Sequence, residues 1–172
     1  MEQRKRIYLC LAHMSESGEE QKYIKEAFDT NWVVPLGPNV NGFESDLERF
    51  MGEGKSVVAL SAGTAAVHLA LVACGVEAGD EVICQSFTFC ASSHPITYQG
   101  ATPVFVDSEP DTWNMDPVLL EEAILDRIRK TRRIPKAIIP VALYGMPYRI
   151  DRIMRVANKY RSEERRVGKE CR

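Results

Sequence analysis

The chain has 172 residues, of which 45% are hydrophobic and 27% are charged, a composition typical of a globular domain with a sizeable core. Its formal net charge of -2 excludes a strong basic field, so we expect neither nucleic acid nor a membrane surface as a partner. No apolar run approaches the length of a bilayer-spanning helix, and the run near residue 10 is too short for a signal peptide.

The N-terminal third is predicted to contain two helices separated by a turn-rich segment. Residues 7–11 (IYLCL) favour a short strand. From Gly18, apolar residues recur on one helical face and two glutamates occupy the first turn, which predicts a helix. A segment with two prolines and a glycine follows, and a second amphipathic helix ends near Gly52. That helix carries the apolar residues Val40, Phe43, Leu47 and Phe50.

Beyond residue 55, short apolar strands alternate with helices. Strands are predicted at SVVAL (56–60), EVIC (81–84), TPVFV (102–106) and within residues 136–145. Helices are predicted at residues 63–74, within 90–99, at 117–125 and at about 150–160. Gly75 is typical of a C-terminal cap, Pro95 must lie early in its helix or kink it, and Asp116 is typical of an N-cap.

This alternation of nearly all-apolar strands with helices predicts an α/β fold, with three α/β/α layers and a mostly parallel sheet. In such sheets, ligands bind beyond the carboxyl ends of the strands. The strand ends that carry candidate chemistry are residues 61–65, 86–89 and 143–145.

The five cysteines indicate a reducing compartment. They are odd in number, contain no CxxC pair and lie mostly in apolar surroundings, which predicts reduced thiols used as small core residues in the cytoplasm. Their positions are Cys10, Cys74, Cys84, Cys90 and Cys171.

The last stretch, RSEERRVGKECR (161–172), is almost entirely charged and breaks the pattern. We interpret it as a non-native or disordered tail, because it resembles translated vector sequence. The predicted domain therefore covers residues 1–160.

Small residues dominate the junction LSAGTAAVHLAL (60–71), where a strand is predicted to end and a helix to begin. The first N–H groups of a helix have no intrahelical acceptor, and Gly63 and Ala65 leave them uncovered while Thr64 adds a hydroxyl. This pattern favours an anion site, although packing alone could also explain the small residues. Neither GxGxxG nor GxxxxGK[ST] is present, so it is not a dinucleotide or Walker loop.

Phe89 lies just past the strand at 81–84, where an aromatic ring could lie flat against a bound planar group. The alternative is an ordinary core phenylalanine. His68 is interpreted as a packed, hydrogen-bonded residue of its helix. His13 and His94 have no partners at metal-ligand spacing, so no metal site is predicted.

Four segments, in this order along the chain, resemble the DegT-type nucleotide-sugar aminotransferases. The segments are DTNWVVPLGPNVNGFE, ALSAGTAAVHLAL, AGDEVICQSFTFCASSHPITYQGATPVFVD and PVALYGMP, and the likeness runs from about residue 7 to about residue 160. The resemblance implies the aspartate-aminotransferase fold, here as an incomplete large domain of a fold-type I transferase that uses pyridoxal 5'-phosphate.

The resemblance also assigns roles to residues. Gly63 and Thr64, with Ala65 beside them, match the positions that hold the cofactor phosphate, and Phe89 matches the aromatic that stacks on the pyridine ring. A further match is an N-terminal loop near the substrate pocket and the dimer interface. The residues of that loop are Gly37, Pro38 and Asn39.

The catalytic residues of the family are expected beyond the matched part of this chain. The acid that pairs with the pyridinium nitrogen and the lysine that forms the Schiff base follow the position of Tyr160. Lys159 and Lys169 match neither position, so no catalytic residue is predicted here. Within the matched part, Gln85 stands where proline is expected and Ala142 where histidine is expected.

The resemblance implies a parent enzyme that moves an amino group from an amino acid, with glutamate expected, to a keto sugar nucleotide. Such an enzyme would act as a homodimer in amino-sugar or cell-surface polysaccharide biosynthesis, and the chain as given is expected to be inactive. One alternative is a sugar dehydratase on the same scaffold, in which histidine replaces the lysine. Another is a non-catalytic, monomeric module that binds sugar nucleotides.

Overall fold

The computed structural model describes residues 14–160, which form two compact units at residues 14–59 and 60–160. The strand predicted at 7–11 and the charged tail at 161–172 lie outside the described residues. Within residues 14–160, no helix has both the length and the apolar character needed to cross a membrane.

The first unit contains the two predicted helices, α1 (Glu19–Asp29) and α2 (Pro38–Met51). Acidic residues in the first turn of α1 suit its N-terminus, and Pro38 in the first turn of α2 suits a position where no intrahelical N–H bond is needed. Neither helix has a buried residue, so their apolar faces are exposed, including Phe28, Phe43 and Phe50.

The strand predicted at residues 56–60 is wrong, because this segment has no regular structure. The Val57 N–H donates to the Glu48 carboxylate at 3.0 Å, and the Ala59 N–H donates to the Glu44 carboxylate at 2.7 Å. Side chains of α2 therefore accept the backbone hydrogen bonds that a neighbouring strand would accept in a sheet.

The second unit is built on a parallel sheet of three strands in the order β2-β1-β3. The strands are β1 (Glu81–Gln85), β2 (Thr102–Val106) and β3 (Ala137–Ile139). Ile83 of the central strand pairs with Val104 on one side and Ile138 on the other. The three strands predicted from residue 81 onward are thus confirmed.

The helices of this unit are α3 (Gly63–Ala73), α4 (His94–Tyr98), α5 (Pro117–Thr131) and α6 (Ile150–Lys159), with 3-10 turns at Cys90–Ser92 and Leu143–Gly145. The predicted caps are confirmed: Gly75 has φ +66° after α3, and the Asp116 carboxylate accepts the Val118 N–H at 2.7 Å. Pro95 lies in the first turn of α4.

The helices cover both faces of the sheet. Val82 and Cys84 face one core, to which α3 and α4 contribute Leu71 and Ile96. Ile83 points the opposite way, into a core filled by α5 and α6. Each fully buried isoleucine or leucine contributes about 1.5–3 kcal/mol of transfer free energy. The predicted α/β/α layering with a parallel sheet is therefore confirmed in this unit.

Cys84 and Cys90 are free thiols. Cys74 and Cys84 are buried as predicted, and burial raises the pKa of Cys84 to about 12, so this thiol stays protonated at neutral pH. Cys90 is exposed, so the core role predicted for it is wrong. It lies in a turn at the strand ends rather than on a buried strand.

Candidate functional site

The start of α3 presents backbone donors that have no assigned acceptor among the described residues. Its first paired amide is that of Ala66, which donates to the Ala62 carbonyl at 3.1 Å, and Ala62 provides no side-chain cap. Within residues 14–160, no acceptor is assigned to the N–H groups of Gly63, Thr64 and Ala65. A Cβ at Gly63 would meet no atom of the described residues within 4 Å, so the space beside the first residue of the helix is open. Such an arrangement fits a phosphate group.

Phe89 is 76% exposed, so the alternative that it is a core phenylalanine is wrong. It lines an open cavity of about 410 Å³ at the carboxyl ends of β1 and β3. The cavity wall consists of Phe87, Thr88, Phe89, Ser92, Val141, Ala142, Leu143 and Tyr144. An exposed ring on such a wall is available to lie against a planar ligand.

The turn that follows Phe89 connects this cavity to α3. The 3-10 turn Cys90–Ser92 packs against α3, and the Thr88 and Ser92 hydroxyls share a hydrogen bond of 2.9 Å. The open amides and the exposed ring are thus carried by neighbouring elements of the second unit. Their joint action on one ligand stays a prediction.

His68 is a packed residue, as predicted. Its ring meets Tyr98 edge-on, with 5.5 Å between the ring centroids, and its Nε2 shares a hydrogen bond with the Gln99 carboxamide. The tautomer of His68 determines which group donates. These contacts join α3 to the end of α4 and indicate a structural role.

The predicted substrate residues Gly37, Pro38 and Asn39 lie at the start of α2 in the first unit. Gly37 is the N-cap, and the Asn39 side chain donates to the Tyr23 carbonyl at 3.5 Å, which joins α2 to α1. Their role beside a substrate pocket stays a prediction.

Lys159 does not provide a free amine. Its ammonium group pairs with the Glu121 carboxylate, which also accepts a hydrogen bond from the Tyr160 hydroxyl. The hydrogen bond to Glu121 raises the pKa of Lys159, so its amine stays protonated. A protonated amine is a poor nucleophile. That Lys159 has no catalytic role stays a prediction.

Sequence reasoning missed two buried polar residues near the cavity, Gln85 and Asn114. Both have fully buried side chains. Gln85 stood out only as a departure from an expected proline, and Asn114 not at all. A polar residue directly after an apolar strand was the only local signal for Gln85.

The loop between β2 and α5 is organised by Glu109, which is also buried. Its carboxylate accepts hydrogen bonds from the Thr112 hydroxyl and from the N–H groups of Asp111 and Thr112, both at 2.9 Å. The guanidinium group of Arg149, in the segment before α6, lies 3.6 Å from the Glu109 carboxylate. The Thr112 hydroxyl is the largest cause of a pKa of Glu109 below its ordinary value, although burial acts in the opposite direction.

We expect Glu109→Gln to destabilise the second unit at neutral pH and to have a smaller effect in acid. Because the pKa of Glu109 is lowered by folding, its stabilisation is present above the ordinary value of 4.5 and is lost as pH falls through the lowered pKa. Urea unfolding followed by Trp113 fluorescence, in a Trp32→Phe background, gives the free energy of unfolding with and without Glu109→Gln at each pH. A difference that stays constant with pH would contradict this role.

A sequence profile of the DegT/DnrJ/EryC1/StrS aminotransferase family matches residues 14–162. The chain is 51% identical to the EpsN protein of Bacillus subtilis over 156 residues, which is 91% of this chain and 39% of EpsN. It is 43% identical to a GDP-perosamine synthase of Caulobacter vibrioides over 143 residues, which is 83% of this chain and 36% of that protein.

The crystal structure of NtdA from Bacillus subtilis, with bound cofactor PMP, is similar with a TM-score of 0.76 and 28% identity. The alignment covers 96% of this chain and 38% of NtdA. The chain therefore spans only 36–39% of the length of these relatives. From the matched profile and these similarities, the chain belongs to the DegT/DnrJ/EryC1/StrS aminotransferase family.

Proposed function

We propose that residues 60–160 form the cofactor-binding part of a nucleotide-sugar aminotransferase that uses pyridoxal 5'-phosphate. The observation that carries this proposal is the open start of α3, where three backbone N–H groups have no assigned acceptor within the described residues. These donors and the Thr64 hydroxyl would bind the phosphate, and Phe89 would lie against the ring.

When bound, the cofactor supplies an electron sink for bond changes at the amine-bearing carbon of the substrate. The residues of this chain would bind and orient it. The start of α3 would direct partial positive charge at the phosphate, and the exposed Phe89 ring would pack against the heterocycle. Ala142, in place of the histidine expected in the family, contributes a methyl group rather than an imidazole to the cavity wall.

We propose that the parent enzyme transfers an amino group, with glutamate as the donor, to the keto carbon of a sugar nucleotide. The similarity to a GDP-perosamine synthase supports a sugar nucleotide as the acceptor. The exposed apolar faces of α1 and α2 support a homodimer, because apolar patches of this kind mark protein contacts. The lysine and the acid of the family would follow Tyr160, so this chain would bind cofactor without turnover.

Calorimetric titration of the chain with pyridoxamine 5'-phosphate (PMP) tests the proposal, since PMP cannot condense with surface lysines. Phosphate-free pyridoxamine is the control ligand. We expect PMP to bind at least about tenfold more tightly, because a hydrogen bond to a charged group contributes about 1.5–3 kcal/mol. Equal affinity, or no binding of PMP, would overturn the proposal. Binding of a sugar nucleotide without any binding of PMP would favour the non-catalytic module.

A further inference from the structure

Two buried carboxamides join the two loops that line the cavity to a third loop, the one before α5. The first belongs to Gln85, the last residue of β1, whose side chain is fully buried. Its Nε2 donates to the Phe87 carbonyl at 2.7 Å, and its Oε1 accepts the Met115 N–H at 3.0 Å. Gln85 thus ties the segment that leads to Phe89 to the loop before α5.

The second carboxamide belongs to Asn114, which is also fully buried and directly precedes Met115. Its Nδ2 donates to the Met146 carbonyl and its Oδ1 accepts the Leu143 N–H, both at 2.9 Å. Asn114 thus ties the loop before α5 to the turn after β3. Because residues 114 and 115 are adjacent, the two carboxamides connect three loops in series.

The connected loops contain two residues with strained backbones. Trp113, next to Asn114, has φ +62°, and Tyr144, between the two partners of Asn114, has φ +51°. Residues other than glycine keep such conformations only where surrounding contacts enforce them. The hydrogen bonds of Asn114 lie on both sides of Tyr144 and supply contacts of this kind.

We propose that Gln85 and Asn114 are positioning residues that fix the distance between Phe89 and the Ala142–Tyr144 wall of the cavity. The proposal rests on the cofactor role proposed for Phe89. An apolar residue of similar shape would fill the same buried space, but it would leave the four backbone partners unpaired and the loops unconnected.

Amide hydrogen exchange on the whole chain tests this connection without any cofactor. Asn114→Asp keeps the acceptor for Leu143 but loses the donor to Met146. We expect exchange to rise about tenfold both at Leu143–Met146 and at Phe87–Phe89, which Asn114 does not contact directly. Asn158→Asp, on the exposed side of α6, is the matched control. An increase confined to Leu143–Met146 would overturn the proposal.

A substitution at Gln85 tests the same connection between the loops independently. Gln85→Glu keeps the acceptor for Met115 and loses the donor to Phe87, and we expect faster exchange at Leu143–Met146 as well as at Phe87–Phe89. Gln21→Glu makes the same chemical change at an exposed position of α1 and should leave both segments unchanged. Should one variant fail to fold, the other still decides the result.

Binding of PMP then separates positioning from cofactor binding itself. We expect each variant to weaken PMP binding about tenfold, and the double variant to lose less than the product of the two losses, because both act through one connection. The positioning role would be overturned if the affinity loss of the double variant equalled the product of the two single losses, or if the affinities did not change. If the unsubstituted chain binds no PMP, the proposed function fails, while the exchange pattern still decides whether the loops are connected.

Discussion

Replacing Gly63 with proline should weaken PMP binding by about 10- to 100-fold, because it removes one N–H donor to the phosphate. The fold should tolerate this change. Proline is favoured at the first position of a helix, and Ala62 already has the extended backbone that a residue before proline adopts, with φ -162° and ψ 157°. Calorimetric titration measures the affinity, and thermal unfolding verifies that the second unit is intact.

Two controls isolate the hydrogen bond. Gly63→Ala keeps the N–H and adds a methyl group into open space, so we expect affinity within about threefold of the original. Phosphate-free pyridoxamine should bind the original chain and the proline variant equally. If Gly63→Pro retained full affinity for PMP, the phosphate would not lie at the start of α3.

Replacing Gly37 with alanine should lower the free energy of unfolding of the first unit by about 1–3 kcal/mol. Gly37 has φ +120° and ψ -171°, a conformation that is almost exclusive to glycine. An added Cβ would also lie 2.8 Å from Cε3 of Trp32, closer than van der Waals contact allows. The change therefore alters the start of α2, where the predicted substrate residues lie.

Gly42→Ala is the matched control on the same helix. Gly42 lies inside α2 with no atom near an added Cβ, so alanine should stabilise the helix by about 0.5–1 kcal/mol. Unfolding of the first unit is followed by Trp32 fluorescence in a Trp113→Phe background. Equal effects of the two substitutions would show that the backbone conformation of Gly37 is not required.

Much of the fold could be predicted because its signals are local. Strands β1 and β2 are short apolar runs flanked by polar residues, and α5 begins with an N-cap aspartate followed by proline. The strand predicted at residues 56–60 failed because an apolar run does not by itself provide a neighbouring strand. Its N–H groups instead donate to glutamates of α2, 9 and 15 residues earlier.

The candidate site also contains features that local sequence predicts and features that it does not. The open start of α3 and the aromatic residue after β1 are local features, and both were predicted from short motifs. Gln85 and Asn114 were missed because their hydrogen bonds reach partners 29 to 32 residues away, except for the bond from Gln85 to Phe87. Only the folded chain shows that these polar side chains are buried and paired.

The most direct test of a cofactor site at α3 is an NMR titration of the isotope-labelled chain with PMP. We expect the largest changes in amide chemical shift at Gly63, Thr64 and Ala65, together with contacts between the Phe89 ring and the pyridine ring of PMP. Shift changes confined to other parts of the chain, or PMP held without contact to Phe89, would contradict a site built from α3 and the segment after β1.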